Sequence, residues 1–202
     1  MKALIGRKVG MTQLLHEDGE AVPVTVIQAG PCPVVQIKNT DKDGYEAVQL
    51  GLGTHKRINK PMAGHAKAAK AAPRYLREFR MAAVEDELKV GDIMDVAVFE
   101  AGDKVRIQSI SKGKGFAGNV KRNNFNTGPK THGSQNYRKP GSIGSMYPQK
   151  IFKGKRMAGR MGHDQVTLKN VVVELIDNER GLIAVRGAVP GPRKAIVMIE
   201  GV

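Results

Sequence analysis

The residues with the clearest capacity for chemistry are the basic and aromatic side chains of residues 111–163. This segment contains twelve Lys and Arg residues and no Asp or Glu. It also holds five of the nine aromatic residues of the chain. Cations neutralise phosphates and flat rings stack on bases. The composition therefore indicates binding to nucleic acid, and we call residues 111–163 the extension.

The extension and its immediate flanks carry the whole net charge of the protein. The chain has 33 Lys and Arg residues against 19 Asp and Glu, which gives a net charge of +14 and a pI near 10.0. Between Asp103 and Asp164, 60 residues include 14 basic residues and no acidic one, so the remaining residues sum to zero. Charge of one sign concentrated in one segment favours a polyanion as the partner.

The extension has too few apolar residues for a core of its own. Its only branched aliphatic residues are Val120, Ile143 and Ile151, alongside ten Gly and three Pro. Burial of so little apolar surface does not offset the entropy of ordering the chain, so we expect a segment that orders on its partner. A flexible linker is the alternative, but the aromatic residues and the single sign of charge disfavour it. Membrane-surface binding requires an amphipathic helix, which a Gly-rich segment does not form.

Strand patterns flank the extension on both sides. Apolar and polar residues alternate over residues 104–110, and residues 166–177 form a second strand pattern. The extension is therefore an insertion between two strands of one domain, and its ends must lie close together. A further strand is expected at residues 93–99, after an acidic loop that begins at Asp86.

The first 52 residues predict a series of short strands, which suggests a small antiparallel barrel or sandwich. Gly6 and Gly10 punctuate the first apolar run, and Asp-Gly pairs mark turns at residues 18–19 and 43–44. The Ala-rich residues 61–72, closed by Pro73, predict a helix.

The motifs of common catalytic and metal sites are absent from the sequence, so we expect neither a cofactor nor a metal. The Ser-Lys-Gly-Lys-Gly run at residues 111–115 lacks the pattern of a nucleotide-binding phosphate loop. Cys32 is the single cysteine, which excludes an internal disulfide and favours a small buried residue. The N-terminus has no long apolar run, so neither a signal peptide nor a membrane span is expected, and an intracellular compartment follows. His65 is expected on the surface of the predicted helix.

A second, weaker basic cluster lies between residues 57 and 80, where Glu78 is the only acidic residue. A solvated surface and RNA contact explain it equally well at this stage. Its members are Arg57, Lys60, Lys67, Lys70, Arg74, Arg77 and Arg80.

Ten sequence motifs, spread in order along the chain, resemble the third protein of the large ribosomal subunit in its bacterial form. The motifs are IGRKVGMTQ at 5–13, PVTVIQAGPCPVVQIK at 23–38, DGYEAVQLG at 43–51, NKPMAGH at 59–65, LREFR at 76–80, SKGKGFAGNVKR at 111–122, THGS at 131–134, RKPGSIG at 138–144, FKGKRMAGRMG at 152–162 and VRGAVPG at 185–191.

The resemblance implies a mainly β fold: a small closed antiparallel barrel of the translation-protein type, with a short helical insertion at 61–72 and a long irregular basic extension. Residues 1–110 and 164–202 would form the discontinuous barrel domain. It implies a structural constituent of the large subunit, not an enzyme, located in the ribosome of the cytoplasm. Members bind ribosomal RNA early in assembly, extend towards the peptidyl transferase region, and neighbour large-subunit proteins fourteen and nineteen.

The sequence departs from the family pattern at two places. Ser145 stands where many bacterial members have a Gln that is methylated, so this modification is expected to be absent. Asn123 stands where many members have a Trp, which removes one expected stacking contact.

The predicted RNA-binding residues are all in the extension, and residues 142–147 are the predicted tip. A free RNA chaperone or translation factor, and an enzyme acting on phosphorylated substrates, remain alternative functions. The predicted contacts are Lys112, Lys114, Phe116, Lys121, Arg122, Phe125, Lys130, His132, Tyr137, Arg138, Lys139, Ser142, Ser145, Tyr147, Lys150, Phe152, Lys153, Lys155, Arg156, Arg160 and His163.

Overall fold

The fold is known from a computed structural model that describes residues 1–81 and 88–201. Asp86 and Glu87, which begin the predicted acidic loop, lie outside the described residues. The strands are β1 Ala3–Leu15, β2 Ala21–Ala29, β3 Cys32–Lys38, β4 Ala47–Thr54, β5 Pro73–Arg80, β6 Ile93–Met94, β7 Lys104–Ile110, β8 Phe116–Ala117, β9 Gly159–Arg160, β10 Gln165–Asp177, β11 Leu182–Arg186 and β12 Ile196–Gly201. The helices are α1 Thr40–Asp43, α2 Lys60–His65 and α3 Asn119–Asn123, with a 3-10 turn at Val96–Val98. The mainly β class is thereby confirmed.

Two compact units divide the chain, one formed by Met1–Ile110 with Gln165–Val202 and the other by Ser111–Asp164. The first unit contains a closed barrel of six antiparallel strands in the order β1-β12-β7-β10-β11-β2. Ile110 at the end of β7 pairs with Gln165 at the start of β10, so the chain leaves and re-enters the barrel at one point. The described helices include none that is long and apolar enough to cross a membrane.

Alternate residues of the barrel strands point inward and form its core. Ile5, Ile27, Ile107, Ile183 and Ile199 come from five different strands and are fully buried. Branched aliphatic residues with period-two spacing fit a pleated, half-buried surface, which explains why these runs form strands.

Strand β1 runs through both glycines that were predicted to punctuate it, and that prediction is wrong. A Cβ at Gly6 would lie 2.5 Å from Ile27 Cγ2 and 2.9 Å from the Gln28 carbonyl oxygen. The β1–β2 register shifts between Lys8 and Gly10. The two glycines therefore serve a close approach and a bulge inside one strand, and neither ends it.

A second sheet of four strands has the order β5-β4-β3-β6. The predicted strand at 93–99 is wrong beyond β6, because β6 pairs with β3 only at Cys32–Met94 and Pro33–Ile93. The next pair along this ladder would involve Pro31, which has no N–H to donate. The chain then forms the 3-10 turn and buries Val96.

Helix α2 is shorter than the helix predicted for 61–72, because it ends at His65. Looser turns continue the chain, with Lys67 and Lys70 N–H groups donating to carbonyls three residues back, and Lys70 has a φ of 50°. Ala66 and Ala69 are buried against Val35. Packing of these small residues on the sheet therefore decides the local path, which helix propensity alone does not anticipate.

A polar network links β3, β4 and β5. Lys38 Nζ lies 2.8 Å from Glu78 Oε1 and donates to the Tyr45 hydroxyl at 2.6 Å. The Tyr45 hydroxyl donates to Glu78 Oε2, and Gln49 Nε2 donates to Glu78 Oε1. The hydrogen bond from Lys38, aided by those from Tyr45 and Gln49, lowers the pKa of Glu78, while that of Lys38 is raised.

Glu78→Gln is expected to weaken the acid dependence of folding stability. Because the pKa of Glu78 is lower in the folded chain, its ionised form stabilises the fold above the unfolded pKa of about 4.3. This contribution is lost as the pH falls through the folded pKa. Urea unfolding between pH 7 and pH 3 should show a shallower loss in Glu78→Gln. Glu17→Gln, at an exposed turn carboxyl, is the control and should follow the wild type. Identical pH profiles for all three chains would contradict the role of Glu78.

Candidate nucleic-acid interface

The root of the second unit consists of two chain segments that run antiparallel from Ser111 and Asp164. Ser111 N–H donates to the Asp164 carbonyl at 2.9 Å, and Asp164 N–H donates to Ser111 Oγ at 3.2 Å. Lys114 N–H then donates to the Met161 carbonyl, and Met161 N–H donates to the Gly115 carbonyl, each at 2.9 Å. Strands β8 and β9 continue the pairing. We call these two segments the arms of the extension. They therefore begin as one ribbon held by backbone hydrogen bonds.

Gly162 is required at this root. Its φ is +72°, and a Cβ there would lie 2.2 Å from the Lys112 carbonyl oxygen. A side chain at this position would clash with backbone and also adopt the left-handed region that L residues disfavour.

Helix α3 closes the root on the side away from Ser111. Arg122 Nη1 donates to the Met157 carbonyl at 2.8 Å, and Asn123 Nδ2 donates to the same carbonyl at 3.1 Å. Asn119 is buried and accepts from Asn123 through its Oδ1. A Cβ at Gly159 would lie 2.5 Å from Arg122 Nη1, so a glycine there leaves space for the guanidinium. These bonds hold the second arm against the first.

The root residues Asn119, Asn123, Met157 and Gly162 are absent from the predicted contacts, which are all Lys, Arg, aromatic, His or Ser residues. Gly162 is visible in the sequence as a glycine next to His163. The need for a glycine is not, because the Lys112 carbonyl that it approaches is 50 positions away in the chain. Asn123, considered only for the Trp that it replaces, instead bonds the Met157 carbonyl.

Beyond the root, few backbone hydrogen bonds hold the segment. Gly128 N–H donates to the Tyr137 carbonyl at 2.9 Å and closes one small loop. Within the described residues, residues 138–147 take part in no backbone–backbone hydrogen bond. Ser142 Oγ donates to the Gly144 carbonyl, which is a contact inside the predicted tip. The predicted tip is thus a stretch without backbone–backbone pairing to the described residues, in which the Gly144 carbonyl accepts from a side chain.

All twelve cations of the extension are exposed. In the parts of the chain that the structure describes, none of them makes a salt bridge. Arg160 bonds to His163 Nδ1, so two predicted contact residues lie together at the root. The polar members His132, Ser142 and Ser145 are exposed as well. The segment therefore presents a continuous set of charges without internal neutralisation.

The five aromatic residues of the extension divide into two groups. Phe116, Tyr147 and Phe152 are 79%, 86% and 64% exposed. Tyr137 is half-buried, with Lys130 Nζ 5.3 Å and Arg138 Cζ 6.0 Å from its ring centroid, and Phe125 is half-buried too. Phe116, Tyr147 and Phe152 can therefore stack on a partner, whereas the Tyr137 ring already contacts two cations.

Cys32 is fully buried and its thiol donates to the Ile5 carbonyl at 3.3 Å, which agrees with its prediction as a buried residue. Burial raises the pKa of this thiol to about 11. His65 is an exposed helix residue, as predicted, and its Nε2 lies 2.6 Å from Gln49 Oε1.

Comparison with known proteins identifies the family. The profile of the family "Ribosomal protein L3" matches residues 77–181. The chain is 51% identical to the large ribosomal subunit protein uL3 of Heliobacterium modesticaldum over 202 residues, which covers 98% of this chain and 96% of that protein. It is 48% identical to the uL3 of Carboxydothermus hydrogenoformans and 49% identical to that of Bacillus cytotoxicus. These alignments cover 98% and 99% of this chain and 96% of each relative.

Identity of about half over nearly the full length of both proteins establishes a common family. The family consists of structural proteins and not of enzymes, which confirms the predicted non-enzymatic role. The predicted location, in the ribosome of the cytoplasm, is confirmed on the same ground. The chain therefore belongs to the ribosomal protein L3 family and is a structural constituent of the ribosome.

Proposed function

We propose that this chain is a constituent of the large ribosomal subunit that binds large-subunit ribosomal RNA through the extension. In this proposal the domain of residues 1–110 and 164–202, a barrel of the translation-protein type, positions the molecule. The extension then helps the RNA to fold early in assembly and supports the peptidyl transferase region. The observation that carries the proposal is the set of twelve exposed cations, none of which makes a salt bridge within the described residues, in a segment with almost no core.

Electrostatics supply the affinity in this account. Each Lys or Arg that neutralises a phosphate releases a condensed counterion, which favours binding in proportion to the number of contacts. Arg side chains such as Arg138 and Arg156 can bind a phosphate through two parallel N–H groups. The absence of acidic residues from the extension means that no nearby like-charge repulsion opposes the RNA.

The exposed rings add contacts that do not depend on charge. Phe116, Tyr147 and Phe152 are free to stack on unpaired bases, each worth about 1–3 kcal/mol by comparison with other single-stranded sites. Tyr137 is better suited to hold Lys130 and Arg138 in place, because these cations already lie near its ring. RNA binding would therefore use three rings for stacking and one for orienting cations.

Length makes the proposed reach possible. Each arm has about 26 residues, which if fully extended would span on the order of 85 Å. The path towards the peptidyl transferase region, with residues 142–147 at the tip, rests on the resemblance to the family together with this reach. Large-subunit proteins fourteen and nineteen are the proposed protein neighbours on the same ground.

Gly162→Ala is expected to weaken RNA binding without unfolding the barrel. The added Cβ would meet the Lys112 carbonyl and impose roughly 1–3 kcal/mol of strain on the root. The arms would then lose their fixed starting geometry. Gly64→Ala, at a glycine of helix α2 with open space around its Cβ position, is the control outside the extension and should bind as the wild type does. Equal RNA affinities of both variants in a filter-binding titration would contradict a role for the root.

Replacement of residues 111–163 by a short Gly/Ser loop is expected to leave the barrel cooperatively folded. Shortening the loop should change stability by at most roughly 2 kcal/mol through closure entropy. The shortened chain should no longer sediment with large subunits after a high-salt wash, whereas the full chain should. Loss of the cooperative urea transition would mean that the extension belongs to the core. Failure of the full chain to stay with the subunits would favour a free RNA chaperone.

RNA affinity of the full chain is expected to fall steeply with salt. If six to ten cations pair with phosphates, affinity should drop by roughly 10³ to 10⁵ between 50 and 200 mM salt. Replacing Lys112, Lys114, Lys153 and Lys155 by Gln should make the slope of log K against log salt less negative by about 3–4. A salt-independent affinity would contradict binding by phosphate neutralisation.

A further inference from the structure

The first compact unit has a groove that no part of the proposed function uses. Its volume is about 770 Å³. Leu52 and Gly53 at the end of β4 and Pro73 at the start of β5 form part of its wall. The remaining side includes Arg7 of β1 and Gln28 of β2, which are paired across the barrel ladder. The groove is thus built from the ends of strands and from the turns at residues 30–31 and 70–72.

The lining carries positive charge only. Its charged side chains are Arg7, Lys70 and Arg74, and the described lining contains no acidic residue. In the described chain none of the three makes a salt bridge. Three cations that converge on one concavity repel each other and leave their hydrogen-bonding capacity unused, so the groove favours an anion.

Several cations elsewhere in this unit are paired with carboxylates, whereas within the described residues the three cations of the groove are not. Lys38 pairs with Glu78, and Arg106 pairs with Glu200. Lys2 pairs with Asp103 at 2.8 Å. The carboxylates of these three pairs lie outside the lining of the groove, which keeps its positive charge.

The Tyr75 ring preorganises two of the three cations. Arg7 Cζ lies 5.4 Å and Arg74 Cζ lies 5.5 Å from its centroid. Tyr75 is held in the sheet by its pairing with Leu52. Gly53 has a φ of +68°, a backbone conformation that favours glycine, and its Cβ position is 3.9 Å from Arg7 Nη2, an ordinary contact distance. Guanidinium groups that are already placed lose less entropy when they bind a ligand.

We propose that this groove binds the sugar–phosphate backbone of RNA and gives the protein a second RNA contact that is independent of the extension. Arg7 and Arg74 would each bind phosphate oxygens, and Lys70 would add a point charge at the rim. Pro31, Pro73 and Ala72 offer apolar walls for a ribose. This proposal takes RNA as the partner from the proposed function, because phosphate is the anion that guanidinium forks match and RNA supplies it in series.

The groove also divides the second basic cluster. Lys70 and Arg74 line it, whereas Arg80 lies 4.7 Å from the Tyr45 ring centroid and Arg77 Nη1 donates to the Leu76 carbonyl. Two members of the cluster are therefore assigned to RNA, joined by Arg7, which lies far from them in sequence. Arg77 and Arg80 have contacts within the first unit that account for them.

The first test measures the salt slope of binding to a bacterial large-subunit RNA transcript with the full chain. The double variant Arg7→Gln/Arg74→Gln should make the slope of log K against log salt less negative by about 1.5–2. Tyr75→Leu, which keeps both charges but removes the ring, should weaken binding at constant slope. Arg180→Gln, which removes an exposed arginine of the β10–β11 turn, is the matched control and should leave the slope as in the wild type. Urea unfolding verifies that each variant is folded.

The outcomes separate the groove from the extension. A slope unchanged by the double variant, but lowered by Lys153→Gln/Arg156→Gln in the extension, overturns the groove proposal and leaves the proposed function standing. A slope unchanged by both pairs overturns the proposed function. An unchanged slope with poorer incorporation of the double variant into subunits identifies an acidic protein as the occupant and overturns the RNA proposal.

The second test does not depend on the stability of a variant that lacks charge. Thr54 lies in the groove and is exposed, so Thr54→Cys accepts a photocrosslinker, whereas the buried native Cys32 does not. In assembled large subunits the probe at residue 54 should crosslink to ribosomal RNA, at nucleotides different from those reached by the same probe at Ser142→Cys. Crosslinks to protein alone, or none to RNA, overturn the proposal.

Discussion

Uncompensated positive charge sets residues 111–163 apart from the rest of the chain. The extension presents twelve exposed cations with no acidic residue among them. In the barrel domain, basic and acidic residues are nearly equal in number, and some of them form ion pairs such as Lys38–Glu78 and Arg106–Glu200. In our proposal, a segment that repels itself and buries almost nothing gains its order from an external polyanion. The folded domain supplies the stability that the extension lacks.

The root fixes how the two arms of the extension begin. Backbone bonds from Ser111–Asp164 to Lys114–Met161 start the two arms side by side, and Arg122 fastens the second arm through the Met157 carbonyl. Past these contacts the hydrogen bonds become sparse. Order at the root and free backbone groups at residues 138–147 suit a segment whose beginning is fixed by the protein and whose end is shaped by RNA. The groove at Tyr75 would add a second anchor on the barrel domain.

The strands flanking the extension, the buried Cys32 and the polyanion-binding composition followed from the sequence, because alternation and charge are local properties. The path of β1 through Gly6 did not follow, since the approach of Ile27 comes from another strand. Helix α2 is short because Ala66 and Ala69 pack on Val35, and β6 is short because Pro31 cannot extend the ladder. The groove was invisible for the same reason: Arg7 and Arg74 meet only through the fold.

We propose that ribosomal RNA, and not the protein itself, orders the far part of the extension. This ordering can be measured by amide hydrogen exchange of residues 138–147 in the free chain and in reconstituted large subunits. We expect fast exchange in the free chain, where these amides have no backbone partner within the described residues, and strong protection in the subunit. Protection already present in the free chain, or exchange that stays fast in the subunit, would contradict it.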